Sequence, residues 1–462
     1  MSKPSKMSLT KGGNKKGEKI LIIPKKIVTA DSKDKILTDY AVEITDDKIS
    51  AFISFKEIKK DKYDKVYDAK NLTLIPGFIQ THVHLSQTLF RGLGENLPLL
   101  DWLCLKIFPF ENAHTKESLK ATARLSINEL FLSGTTTLLD MGTLRYGEVV
   151  LSEMIDSGVR GFSGKCLTDV NDLYPAFKSS TKDELNDMLN LAKSFHNSDE
   201  GRIKYSFSPR FVLSCTEELL KETKEIMKDF PGSIYHTHSS ESKNEIEEVR
   251  KRFNKENIDY FDSIGVLDDY TVLAHCVHTS VNERKVLKNR NTRIAHCPSA
   301  NFKLGSGIAP IPQYLKDGIS VTLGADGAPC NNNLSVFNEM RLASLIQKPI
   351  HGAEVMDAKT IFRMTTIEGA KALHLQDETG SIEIGKKADL VLIDLDSYSN
   401  SYSDDNDAIY SDIVFSSASE NVKSVMVDGK WVVKEKESQV YNQEELVSKG
   451  REELRQLLKR VG

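Results

Sequence analysis

His82 and His84 stand two positions apart in Pro76-Gly77-Phe78-Ile79-Gln80-Thr81-His82-Val83-His84. On a β-strand, residues at i and i+2 share a face, so this strand could offer two imidazoles to one metal ion. Two ligands fix no geometry, so the remainder must come from downstream. Candidates of the right type are His236 and His238 with Glu241, His275 with Cys276 and His278, His296, and Asp326. Three histidine nitrogens and a carboxylate oxygen would make a zinc shell that leaves room for a catalytic water.

Such distant residues can meet only if the fold gathers strand ends. Short apolar runs at Phe78–His84, Thr135–Asp140, Arg160–Leu167, Lys204–Pro209, Ile234–His238, Thr271–His275, Arg293–His296 and Val321–Asp326 alternate with longer helical stretches. Thr181-Lys182-Asp183-Glu184 reads as a capping box opening the helix Leu185–Phe195, and Glu241–Phe253 as a charged helix with Ile246 and Val249 on one stripe. Eight strands alternating with helices make an α/β chain, expected as a (β/α)₈ TIM barrel with its active site at the C-terminal strand ends. His82, His84, His238, His275 and Asp326 then converge on one rim.

By spacing alone, either His236 or His238 could be the fifth-strand ligand. Glu241, three residues after His238, favours the latter, because a loop could fold its carboxylate over the metal to move protons. The alternative makes Glu241 the first-turn acid of the next helix. His296 is read as structural or as lining the substrate site. His114, His196, His351 and His374 are assigned to the surface.

The flanks differ in texture. Ile20–Ile23, Ala41–Ile44 and Ile49–Ile53 read as antiparallel strands, and similar runs return at Gly385–Asp394 and Val422–Val433. Residues 20–75 plus 382–440 are expected to form a small composite β-sandwich domain around a barrel of residues 76–381, followed by a C-terminal helix over 441–462. Residues 1–19 read as a disordered, lysine-rich tail.

Among 462 residues, 39% are hydrophobic, enough for a core larger than one domain usually holds. The formal charge of −4 gives no electrostatic reason for a nucleic-acid or anionic-membrane partner, so a small-molecule substrate is expected. Six cysteines without a Cys-x-x-Cys pair argue for reduced thiols. Without a spanning segment or signal-peptide hydrophobic region, the chain is expected to be cytoplasmic.

The chain resembles the amidohydrolase superfamily, in its branch of atrazine-chlorohydrolase-like enzymes and nucleoside or nucleobase deaminases. The resemblance rests on Pro76–His84, His238-Ser239-Ser240-Glu241, Leu273–His278, His296-Cys297-Pro298-Ser299-Ala300-Asn301, Leu323–Gly327 and Gly380–Leu390, in order along the chain. It implies one divalent metal, usually Zn²⁺ with Fe²⁺ or Mn²⁺ as alternatives, held by His82, His84, His238 and Asp326. It also implies proton transfer by Glu241 and His275, with Asp326 accepting the water's proton, and common self-association into homo-oligomers.

Arg91–Leu103, Asp326–Asn333 and Glu339–Lys348 look most like the methylthioadenosine/S-adenosylhomocysteine deaminases and their relatives acting on 5′-deoxyadenosine. There the residue matching Glu111 contacts ribose hydroxyls, and Trp102 could cover the purine or its 5′ substituent. Lys165 and Arg210 depart from that pattern, where an arginine and a histidine usually stand. Together with Gln87 they resemble guanine deaminases, where Arg210 could donate to O6 and Gln87 could read an amide edge; Gly327 stands where those enzymes usually carry valine. The expected reaction is hydrolytic deamination of an adenosine derivative, with guanine or a triazine as the alternative. A non-catalytic binding protein on this fold would have lost a metal-facing or proton-transfer residue, and none is missing.

Overall fold

A computed structural model describes residues 17–177, 179–403, 405–406 and 408–461. The lysine-rich tail expected over residues 1–19 lies, up to residue 16, outside the described residues.

Eight parallel strands form the central barrel: β1 (Phe78–Val83), β2 (Thr135–Asp140), β3 (Arg160–Ser163, continued by Cys166–Leu167), β4 (Ile203–Pro209), β5 (Ile234–Ser239), β6 (Thr271–His275), β7 (Arg293–His296) and β8 (Val321–Leu323). Each pairs with its sequence neighbour, and a parallel bridge between Val83 and Asp326 brings the last strand back to the first. Every residue of β1 and β2 is buried, as expected of parallel strands with side chains inside and helices outside.

Several helices start where short polar side chains satisfy free N–H groups. Ser242 with Glu245 and Ser280 with Glu283 form capping boxes for Lys243–Phe253 and Val281–Arg290. The helix after β3 differs from the sequence reading: it runs Thr181–Phe195 and is capped by Ser180, which accepts from Asp183 N at 3.2 Å. Tertiary contacts occupy the expected box, since Thr181 bonds Asp169 at 2.7 Å and Glu184 accepts from Thr168 N at 3.2 Å.

Two strand readings are also corrected. The run Arg160–Leu167 breaks at Gly164, where the backbone passes so close to Ser206 that an added Cβ would lie 2.1 Å from its carbonyl oxygen. The eighth strand ends at Leu323, and Asp326 sits beyond it in a left-handed turn with φ 61°.

Both chain ends build one nine-stranded sheet beside the barrel. Lys65–Pro76 is its hinge element, pairing antiparallel with Leu390–Ile393. Its pairing with Lys19–Val28 is parallel, not antiparallel as the turn-rich flank implied, because Lys65–Pro76 returns from outside the Tyr40–Ser54 hairpin. Arg160, at the start of β3, joins barrel and sheet: its Nε and Nη2 donate to Asp389 at 2.7 and 3.2 Å, and it also reaches Asp428.

The helix Gln443–Val461 packs against Lys116–Leu132. His114 is not on the surface: it is buried, with Nδ1 2.9 Å from Ser118 Oγ and Nε2 2.9 Å from Ser86 O. No helix among the described residues is long and apolar enough to cross a membrane. The six cysteines are free, and all but Cys104 are buried.

Candidate active site

Four potential ligand atoms meet above the C-terminal strand ends. His82 and His84 come from β1 and the turn after it, His238 from β5, and Asp326 from the turn after β8; their donor atoms lie within 4.8 Å of one another. Asp326 Oδ1 is 3.2 Å from both His82 Nε2 and His84 Nε2, and the latter is 3.3 Å from His238 Nε2.

Proton placement tests whether this group suits a cation. His238 Nδ1 donates to the Arg210 carbonyl at 2.7 Å, which leaves its Nε2 lone pair facing the cluster. His82 Nδ1 is 2.9 Å from His236 Nε2, so its buried Nε2 is turned toward Asp326 and the cluster. Burial holds His82 neutral, its pKa lowered to about 4, and burial followed by the neighbouring imidazoles pushes His238 well below 6.5. Burial raises the Asp326 carboxyl, but bonding to His82 and His84 outweighs it and holds the group well below 3.8. Imidazole lone pairs and a carboxylate thus converge around one point, a donor set that fits a divalent metal.

Around this group the backbone repeatedly enters the left-handed region, at Ser240 (φ 54°), His275 (φ 75°) and Asp326 (φ 61°). Non-glycine residues adopt it at a cost, and such positions concentrate where side-chain aim matters more than local comfort.

Glu241 lies before the helix Lys243–Phe253, so it is not that helix's first-turn acid; Glu245 fills that place. Glu245 Oε2 accepts from Glu241 N at 2.7 Å and Ser242 N at 3.3 Å, fixing the loop that presents Glu241. Burial, with the charges of Asp326 and Glu245, pushes the Glu241 carboxyl well above 4.5, and its Oε1 is buried without a partner. His275 Nε2 lies 3.5 Å from Glu241 Oε2 and 3.8 Å from Asp326 Oδ2, while its Nδ1 meets Asn301 Oδ1 at 2.9 Å. Glu241 and His275 therefore sit where they could pass protons beside the metal-facing group.

A cavity of about 430 Å³ of space outside protein atoms opens on these residues, walled also by Gln87, Trp102, Leu103 and Arg210. Gln87 Nε2 donates to Glu111 Oε1 and Arg210 Nη1 to Glu111 Oε2, both at 2.8 Å. Glu111 is thus behind the wall with both oxygens engaged. Trp102 packs on Gly94, and its indole N–H is buried and unpaired. Lys165 stands apart: its Nζ bonds Leu144 O at 2.7 Å and pairs with Glu184 at 3.3 Å, away from the cavity wall.

Three supporting residues lie outside the site that spacing and resemblance imply. Spacing offers His236 only as an alternative ligand, yet it is the partner of His82. Glu245 was legible as the acid of a Ser-x-x-Glu box, and Asn301 only as part of the His296–Asn301 run. His296 is buried at the end of β7, with neither nitrogen hydrogen-bonded.

Comparison with known proteins adds independent findings. The model of the amidohydrolase family matches residues 73–432. A 5′-deoxyadenosine deaminase from Methanobrevibacter smithii is 36% identical over 440 residues, covering 91% of this chain and 99% of that one. A 5-methylthioadenosine/S-adenosylhomocysteine deaminase from Thermoanaerobacter pseudethanolicus is 35% identical, covering 87% and 92%. In fold, the chain is similar to the zinc-bound crystal structure of an adenosine deaminase from Xanthomonas campestris, with TM-score 0.88 and 24% identity over 95% of this chain and 98% of that one.

Proposed function

The chain belongs to the amidohydrolase family, and from that premise we propose that it is a metal-dependent hydrolytic deaminase of a purine nucleoside derivative: 5′-methylthioadenosine, S-adenosylhomocysteine, 5′-deoxyadenosine or adenosine. The observation that supports this most is the meeting of His82, His84, His238 and Asp326 with Glu241 at one cavity. In this reading those four residues hold one divalent ion, Zn²⁺ before Fe²⁺ or Mn²⁺. Such an ion supplies a water acidified toward a pKa of ~7 and hence a nucleophile at neutral pH.

The side chains then divide the proton work. Asp326 offers its second oxygen as acceptor for the proton the attacking water gives up. Glu241, whose proton affinity is raised by burial and by Asp326, gives its proton to a ring nitrogen and so makes the adjacent carbon electrophilic. His275, with Nδ1 held by Asn301, keeps Nε2 within reach of both carboxyls; once protonated, it is a donor for the developing oxyanion. The C–N bond breaks as Asp326 passes the proton it took from the water to the leaving amine and the new hydroxyl returns a proton to Glu241, and the products are the oxo heterocycle and ammonia.

Guanine or a triazine is the second reading, favoured by one observation. Gln87 and Arg210 already occupy both oxygens of Glu111, the group that would otherwise accept two ribose hydroxyls. An ammonia-release panel of methylthioadenosine, S-adenosylhomocysteine, 5′-deoxyadenosine, adenosine, guanine and a triazine separates the readings. Turnover of an adenosine derivative is expected; turnover of guanine alone moves the assignment to the second reading. Metal content near zero with no ammonia from any compound would favour a binding protein.

A further inference from the structure

Glu339 stands on the helix Val336–Leu345, outside the barrel, yet it is completely buried. Its bonded partners are neutral donors: Oε1 accepts from Ser299 Oγ at 2.5 Å and from Asn331 Nδ2 at 2.8 Å, and Oε2 accepts from Ser299 N at 3.1 Å. Burying a carboxylate among neutral donors is unfavourable, and burial raises this carboxyl to about 7. An uncharged side chain would suit stability better. The carboxylate therefore needs a reason beyond packing, and the two groups it holds supply one.

One arm ends beside Asp326. An ionised carboxylate only accepts, so Asn331 turns its NH₂ toward Glu339, and the same nitrogen donates to Ala325 O at 2.7 Å. That carbonyl belongs to the peptide joining Ala325 to Asp326, whose N–H is held by His82 O at 3.1 Å. With both sides of the peptide pinned, the left-handed turn at Asp326 (φ 61°) has a fixed entry and its carboxylate a fixed aim. The other arm caps the start of the helix Pro298–Lys303 at Ser299. That helix carries Asn301, the partner of His275 Nδ1.

We propose that Glu339 is a positioning residue: from outside the barrel, one carboxylate ties the turn of Asp326 to the helix of Asn301 and so sets the spacing between the metal-facing carboxylate and the His275 imidazole. The proposal rests on the deaminase reading of this site. Glu339, Ser299 and Asn331 do not line the cavity, so their effect falls on the reacting groups and not on substrate contacts.

The test compares E339Q, N331A and E339Q/N331A in the full chain. Its readouts are kcat and KM of the metal-loaded protein on the compound turned over best, Zn²⁺ affinity by chelator competition, and stability in denaturant. A glutamine there has one acceptor oxygen and cannot serve Ser299 N and Asn331 Nδ2 at once. E339Q is expected to lose ~10- to 100-fold in Zn²⁺ affinity and in kcat, with KM little changed and stability equal or higher. N331A should lose Zn²⁺ affinity as well, and the double variant should be no worse than E339Q. An E339Q that loses stability but keeps wild-type kcat and Zn²⁺ affinity overturns the proposal, as do losses that multiply in the double variant. Should E339Q not fold, N331A decides, and wild-type Zn²⁺ affinity there overturns it. A wild-type chain that releases no ammonia from any panel compound defeats the deaminase reading, while the Zn²⁺ measurements still decide the role of Glu339.

Discussion

The Nδ1 of His82 lies 2.9 Å from the Nε2 of His236, so a residue outside the metal-facing group sets the orientation of one inside it. Because β5 alternates its side chains, His236 and His238 share a face at successive depths: the shallower one points at the metal position, and the deeper one braces a first-strand imidazole.

That relationship predicts His236→Ala to fold yet bind metal ~10- to 100-fold more weakly, the usual loss when the partner of a ligating histidine is removed. Chelator competition followed by metal analysis reads it. Affinity equal to wild type would make the contact incidental.

Glu241→Gln should retain metal and Tm while kcat falls ~10²- to 10⁴-fold, because the amide fills the space but carries no transferable proton. Steady-state ammonia release and metal content, measured on one preparation, decide this. Near-normal turnover would assign proton delivery elsewhere.

Replacing Arg160 by Ala leaves Asp389 buried without its bidentate partner and should cost about 3–5 kcal/mol. Denaturant unfolding of R160A, D389A and the pair tests it, with the double variant expected to lose less than the sum. Additive losses would mean the two side chains act independently.

His114 gives a pH prediction away from the metal-facing residues. Burial lowers its pKa from 6.5 to about 4, so below pH 6.5 the unfolded chain takes up a proton that the folded protein declines. Its contribution is full above pH 6.5 and falls as pH drops toward 4, by up to about 3 kcal/mol. His114→Asn should therefore be less stable than wild type at pH 7.5, with the gap narrowing toward pH 4.5. A gap independent of pH would refute the assignment.

The barrel was readable because eight apolar runs alternate with helices, and the metal-facing group because its members stand at or just beyond the ends of three barrel strands. What escaped detection depends on side chains meeting across the fold. Ser180 replaces Thr181 as a cap because Asp169 takes the threonine, and His114 is buried because Ser86 and Ser118 take both its nitrogens while its ring packs on Phe90. The resemblance to guanine deaminases places Lys165 with Gln87 and Arg210, yet its long side chain runs outward to Glu184. Spacing along a strand gives a residue's depth and face; it says little about where a four-carbon side chain ends.

The sheet shared by both chain ends also orders events in time. Lys65–Pro76 emerges from the ribosome early, but its antiparallel partner Leu390–Ile393 follows only after all eight barrel strands have been synthesised. Until then that edge is open, and apolar residues such as Leu74 and Ile75 have no neighbour on that side. Nascent chains stalled before residue 390 should thus be the aggregation-prone species, and the barrel the first part to resist proteolysis.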